Sequence, residues 1–315
     1  MTIPQDGLWS IGELAERAGT TVKTVRFYSD GGLLPEASRS SGGHRRYGPD
    51  ALDRLGLIRS LRALDLPVPE VRRILEDDGT GGAVLADAVA GQLRELGGRI
   101  QALRWREAGL QLVQECAPEE RADRLRLIGA VAAPPNTDTL VRFWRAWLPP
   151  RMAARDRAAF LEVAVPAPPA DPEPGQVLAF ARLNAFVTQP CIADRPCQPA
   201  AHHSPEFRPD VLYAGLAEAY DLAAPHLRRG RAPRSGEALD CFVAAYADAF
   251  RTRDTAGFRH VLGEQLAGDP RIDRYWELVA EVLGSRDGRP VPTPGAAHDW
   301  LLAALTTEPA LRAAC

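Results

Sequence analysis

The chain has 315 residues, enough for two or three domains with sizeable cores. Its 45% hydrophobic and 25% charged residues are those of an ordinary soluble globular protein, and no stretch approaches the ~18 uncharged apolar residues of a membrane span. The opening MTIPQDGLWS carries no basic residue and no apolar run, so a cytoplasmic protein without a secretory signal is expected, and the net charge of −3 does not by itself announce a nucleic-acid binder.

Charge distribution is more telling than the total. Between Thr21 and Arg46 stand Lys23, Arg26, Arg39, Arg45 and Arg46 against Asp30 and Glu36. Ser10-Ile-Gly-Glu13 has the form of a capping box and opens a short helix with Ile11, Leu14, Ala15 and Ala18 on one face. Gly19 ends it, and Thr21 can cap a second helix from Val22 to about Asp30. Two short helices joined by a tight glycine turn make a helix-turn-helix, whose second helix can enter a major groove. Val25, with Phe27 or Tyr28, faces inward there, leaving Lys23, Thr24 and Arg26 to meet DNA.

Gly31-Gly32-Leu33-Leu34-Pro35 stops that helix. In Arg39-Ser-Ser-Gly-Gly-His-Arg-Arg-Tyr47 the paired glycines predict a tight turn in a small β-hairpin, with Arg45 and Arg46 reaching flanking phosphates. A helix from about Asp50 to Leu64 then buries Leu52, Leu55, Ile58 and Leu61, and another beginning at Pro69 carries Val71, Ile74 and Leu75.

Taken in order, Ile11-Gly-Glu-Leu-Ala15, Thr21-x-x-Thr24-Val-Arg-Phe-Tyr28, Gly32-Leu-Leu-Pro35, Gly43-His-Arg-Arg-Tyr47 and Leu61-x-x-Leu64-x-Leu-Pro-Val-Pro-Glu70-Val resemble the MerR family over roughly residues 9–76. The resemblance implies a winged-helix domain acting as a dimer on a pseudo-palindromic promoter. It implies DNA contacts from Thr21, Lys23, Thr24, Arg26 and Tyr28 on the recognition helix, and from Arg45, Arg46 and Tyr47 on the wing. Ser29 stands where the family usually has Glu, and His44 where an aromatic residue is common.

From Gly82 to Cys116 the pattern becomes one long helix. Leu85, Val89, Leu93, Leu96, Ile100, Leu103 and Leu110 recur at three- and four-residue steps, a coiled-coil-like seam weakened in its middle by Gly97-Gly98. The pattern fits an intramolecular core helix as well as a dimer; MerR-like proteins use such a helix to dimerise antiparallel, and dimerisation is the expectation adopted. The domains read as 1–78 for DNA binding, 79–117 for dimerisation and 118–315 for sensing.

Residues 118–315 read as helices at 119–131, 138–148, 151–163, 176–188, 209–227, 236–251, 255–267, 271–284 and 295–306, with a polyproline-like connector over 165–175 as a possible sub-boundary. The expected fold class is therefore mainly α: a winged helix-turn-helix, a long antiparallel coiled-coil helix and an all-α sensor domain. Aromatic residues at helical spacing are more often core than ligand box, yet apolar pockets lined by aromatics hold small organic molecules. Trp144, Trp147, Tyr213, Tyr246 and Trp276 are the candidate effector wall. Over Phe258 to Gly284 the sequence also resembles the helical drug-binding domain of thiopeptide-induced MerR-type regulators.

Five scattered cysteines argue for reduced thiols. Cys191, Cys197, His202 and His203 offer a tetrahedral donor set, but not at a standard zinc spacing, so metal or thiol sensing is the alternative to an organic effector. Sequestration of a drug, with DNA contact secondary, is a third reading. No phosphate loop, nucleophile elbow or His-Glu-x-x-His is present, so neither catalysis nor a cofactor is expected. The expected partners are double-stranded promoter DNA, RNA polymerase, a small-molecule effector and a second copy of the chain.

Overall fold

A computed structural model describes residues 7–77, 81–189, 204–266, 270–286, 289–290 and 292–307. The chain divides into two compact units, Met1–Arg99 and Ile100–Cys315.

In the first unit β1 (Trp9–Ser10) leads into α1 (Ile11–Arg17) and α2 (Val22–Asp30). The capping box at the start of α1 forms as the sequence predicts: Ser10 Oγ accepts from the Glu13 amide at 3.3 Å, and the Ser10 amide donates to Glu13 Oε2 at 2.7 Å. Strands β2 (Ser38–Arg39) and β3 (Arg45–Tyr47) form the hairpin, and β3 lies between β1 and β2 in a three-stranded antiparallel sheet. Helices α3 (Asp50–Ala63) and α4 (Val68–Glu76) complete a core of Leu14, Val25, Leu34, Tyr47, Leu55, Ile58 and Val71. Their arginines serve as fasteners. Arg59 donates to the Ala18 carbonyl behind α1, Arg54 to the Leu33 carbonyl at 2.7 Å, and Arg72 to the Gly31 carbonyl behind α2. The Ala18 and Gly31 carbonyls are ones that the ends of α1 and α2 leave open, and the Leu33 carbonyl belongs to the turn that follows α2.

Helix α5 (Gly81–Glu115) runs unbroken for 35 residues through Gly97 and Gly98. Its first part belongs to the first unit, where Leu85 packs against the core. Leu85 is therefore a core contact and not an open seam position as the periodicity suggested.

Among its described residues the second unit's regular structure is helical apart from a two-residue ladder between β4 (Ser285–Arg286) and β5 (Arg289–Pro290). After a 3-10 turn at Pro118–Glu120 come α6 (Arg121–Gly129), α7 (Asp138–Trp147), α8 (Ala154–Ala164), α9 (Pro174–Val187), α10 (Pro209–Arg228), α11 (Glu237–Ala249), α12 (Ala256–Leu266), α13 (Pro270–Leu283) and α14 (Pro294–Thr307). Prolines open α9, α10 and α14, where the missing amide costs no helical hydrogen bond. One core gathers Trp105, Phe143, Trp144, Phe180, Tyr275 and Trp276. The other gathers Phe207, Leu239, Phe242, Tyr246, Trp300 and Leu301. The proline-rich segment 165–175 is no divide within this unit: Trp105 Nε1 donates to the Pro169 carbonyl at 2.9 Å, and Arg104 lies 3.6 Å from Asp171.

Two glycines predict opposite responses to the same change. A Cβ at Gly98 would meet nothing within 4 Å, so Gly98→Ala should raise stability by about 1 kcal/mol through helix propensity. A Cβ at Gly295 would lie 2.0 Å from Trp276 Cγ, and Gly295→Ala should lower stability by ~1–3 kcal/mol through overpacking. Denaturant titration followed by circular dichroism checks both signs.

Candidate nucleic-acid interface

Helix α2 is held from one side. Val25 and Tyr28 are buried, whereas Lys23, Arg26 and Phe27 are exposed, Phe27 by 59%. Neither Lys23 nor Arg26 has an ionic partner among the described residues, so two cations and an aromatic ring stand on a pre-formed helical face. The sequence left Phe27 and Tyr28 as alternatives for the inward position. Tyr28 takes it, three residues after Val25, and Phe27 becomes an outward apolar group suited to a thymine methyl or a sugar.

The other expected contact residues have duties within the fold. Thr21 Oγ1 caps α2 by accepting from the Thr24 amide at 3.1 Å and lies 2.9 Å from Thr24 Oγ1, so both hydroxyls are engaged. Tyr47 is fully buried, and its hydroxyl donates to Ser29 Oγ at 3.0 Å. Tyr28 and Tyr47 are thus corrected from DNA-contacting to core side chains: each ring fills the space beneath the helix and the wing. Ser29 accepts that bond at the position where a Glu was expected from the resemblance.

The wing forms as predicted, its tip closed by the Ser40 amide donating to the His44 carbonyl at 2.8 Å. Arg46 is half-buried on the central strand, paired in register with Ser10 and Ser38. Arg45 is clamped, donating to Asp30 and lying 3.2 Å from Glu36, and its hydrogen bond to Asp30 raises its pKa further. Glu36 also takes Arg39 at 2.7 Å. Nothing in the local pattern signalled this clamp, because Asp30 closes α2 and Glu36 precedes β2.

Residues 9–78 match the model of the MerR HTH family regulatory protein. Over 118 residues the chain is 35% identical to an uncharacterized HTH-type transcriptional regulator of Pseudomonas aeruginosa, covering 36% of this chain and 89% of that one. The chain belongs to the MerR family. It is also 36% identical over 115 residues to the HTH-type transcriptional activator TipA of Streptomyces coelicolor, covering 34% of this chain and 46% of TipA. With the nodulation protein NolA of Bradyrhizobium elkanii it shares 42% identity over 73 residues, 23% of this chain and 33% of NolA. It thus spans between a third and a half of the length of these two relatives.

The MerR match ends before the residues expected to line an effector pocket, and the structure divides those residues between two cores. Trp144 and Trp276 are buried in the first, their rings 5.7 Å apart, and Trp147 packs half-buried beside them. Tyr213 and Tyr246 belong to the second. Trp144 and Trp276, expected in a pocket wall, thus pack within an aromatic core, as their helical spacing also allows. Phe160 links the two groups, edge-on to Trp144 at 4.9 Å and to Tyr213 at 5.3 Å. The hydroxyls of Tyr213 and Tyr246 make no hydrogen bond among the described residues, and burial raises both their pKa values. Beside them Tyr220 Oη lies 3.0 Å from Nδ1 of His298, whose burial lowers its pKa to about 4 and keeps it neutral. Cys191, Cys197, His202 and His203 lie outside the described residues. Among those described, no group of three or more His, Cys, Asp or Glu is placed to hold a metal, and no helix is long and apolar enough to cross a membrane.

The clamp and the open face of α2 predict opposite effects on DNA affinity. Arg26→Ala should weaken operator binding and flatten its salt dependence by ~1 per lost phosphate contact. Asp30→Asn with Glu36→Gln should free Arg45 and strengthen binding to any duplex at low salt. Fluorescence anisotropy across a salt series measures both.

Proposed function

We propose that the protein is a homodimeric transcription regulator that reads double-stranded promoter DNA through α2 and the wing. The observation that carries this reading is the open cationic face of Lys23 and Arg26 on the second helix of a MerR-type helix-turn-helix. A salt-dependent gel shift on the DNA upstream of the protein's own reading frame tests it. A sequence-specific band is expected; a drug-sequestering protein would give none.

The case for a dimer rests on α5. Leu93 (64% exposed), Leu96, Ile100, Leu103 (60%) and Leu110 (72%) stand open along one stripe. Burying a leucine is worth ~1.5–3 kcal/mol relative to leaving it in water, so a second copy of the helix is the natural cover. Leu96→Glu with Ile100→Glu would bury unpaired charge in that seam. Light scattering should then report monomers that bind DNA poorly; a dimer of unchanged stability would remove the seam from this role.

In this reading the dimer sits between promoter elements, and effector binding bends and untwists the spacer so that RNA polymerase engages both. Such deformation costs several kcal/mol by elastic estimates, offset by backbone contacts. The effector is a small organic molecule held in the helical second unit, near Tyr213 and Tyr246, whose hydroxyls have no partner among the described residues. A ligand at 100 times its Kd stabilises a fold by ~2.7 kcal/mol, so a thermal-shift screen of apolar drugs and metabolites should find one. Tyr213→Ala should abolish the shift. Trp276→Phe should lower the melting temperature of the free protein and leave the ligand-induced shift in place.

A further inference from the structure

The last turn of α10 and the loop that follows it carry His226, Arg228, Arg229, Arg231 and Arg234, with no acidic residue between Asp221 and Glu237. Its backbone is held fast. Gly230, at φ 61°, lets the chain leave the helix: the Gly230 amide donates to the Leu227 carbonyl at 2.9 Å and the Arg231 amide to the His226 carbonyl at 3.0 Å. The His226 ring stacks on buried Trp300 with 5.4 Å between centroids and 12° between planes. Trp300 Nε1 in turn donates to the Arg231 carbonyl at 2.8 Å. The loop is thereby bolted to the core formed by α10, α11 and α14.

Its charges are left open. Arg228, Arg229, Arg231 and Arg234 are exposed, and none has an ion pair among the described residues. Elsewhere in this unit Arg259 is held between Asp240 and Asp254, and Arg274 pairs with Glu277. The α10 C-terminus favours cations in its last turn, which accounts for Arg228 and Arg229 but not for Arg231 and Arg234 beyond it. The charges also converge: after burial, Arg234, Arg231 and Arg229 are what lower the His226 pKa.

We propose that this loop, residues 226–234, is a second phosphate-binding surface, through which the C-terminal unit grips the backbone of double-stranded DNA outside the sequence read by α2. Guanidinium groups match phosphate oxygens in geometry and charge. A loop already fixed by Trp300 and Gly230 loses little conformational freedom on binding. Duplex DNA is the favoured polyanion because the same chain carries a DNA-reading unit, and tethering raises the local concentration of flanking phosphates. The proposal rests on the promoter-binding reading above.

The test uses the full-length protein with all four arginines changed to Gln, or all four to Lys, leaving Gly230, His226 and Trp300 in place. Thermal melts verify the fold of each variant. Binding is compared on a duplex trimmed to the operator and on one with long flanks. The Gln variant should keep its affinity for the short duplex, lose roughly tenfold on the long one at low salt, and show a slope of log K against log salt shallower by ~1 per lost contact. The Lys variant should regain most of that loss. Unchanged long-duplex affinity and slope in the Gln variant would overturn the proposal. So would a loss of transcription at unchanged DNA binding, which would assign the loop to an acidic protein partner. Absence of any sequence-specific binding by the wild type would sink the promoter-binding reading itself, and the loop's role with it.

Discussion

The recognition helix α2 spans nine residues, fewer than the ~12–15 at which an isolated helix becomes even marginal in water, so its shape is imposed by what it packs against. Val25 and Tyr28 supply the apolar grip, Thr21 caps the first turn, Arg72 holds the Gly31 carbonyl behind the last, and Tyr47 reaches Ser29 from the wing. The apolar contacts come from one side and the caps from the two ends. The opposite side is free to carry Lys23, Arg26 and Phe27 on a scaffold that does not need them. Tyr47 fixes two features at once, because the same ring fills the core and ties helix to hairpin.

A related constraint governs α5. Trp105, Ala108 and Leu112 are buried in the C-terminal unit, while Leu103 and Leu110 on the same helix stand open to solvent. A helix that is apolar on two sides has to be covered on two sides. Among the described residues α5 has only the first cover. The helical propensity lost at Gly97 and Gly98 is tolerable because tertiary burial, more than intrinsic propensity, sustains long helices in proteins.

Much of this was legible in the sequence, for local reasons. The capping box at Ser10, the glycine that ends α1 and the glycine turn of the wing each act within a few residues of themselves. Helix boundaries in the second unit accordingly fall close to those read from periodicity. What stayed hidden depends on contacts distant in the chain. Arg45 reads as a free wing cation until α2 and β2 bring Asp30 and Glu36 beside it. Trp144 and Trp276 are indistinguishable in sequence from pocket residues, since helical spacing says that a ring faces inward but not whether it meets a void or another ring. Leu85 satisfies the same repeat as Leu96, yet among the described residues Leu85 packs on the first core while Leu96 stands 47% exposed.

The charge arrangement follows from what a sequence-reading protein has to avoid. Unneutralised cations bind any phosphate backbone, and that contribution carries no sequence information. In the promoter-binding reading, holding the wing's Arg45 between two carboxylates keeps the indiscriminate attraction of the DNA-reading unit low and leaves α2 to supply the difference between one site and the rest, while the grip proposed for residues 226–234 adds affinity that carries no sequence information. Releasing Arg45 to a phosphate means exchanging two existing ionic contacts for a new one, so the net gain is small unless the helix is also correctly seated. The clamp thus makes the wing's contribution conditional on that of α2.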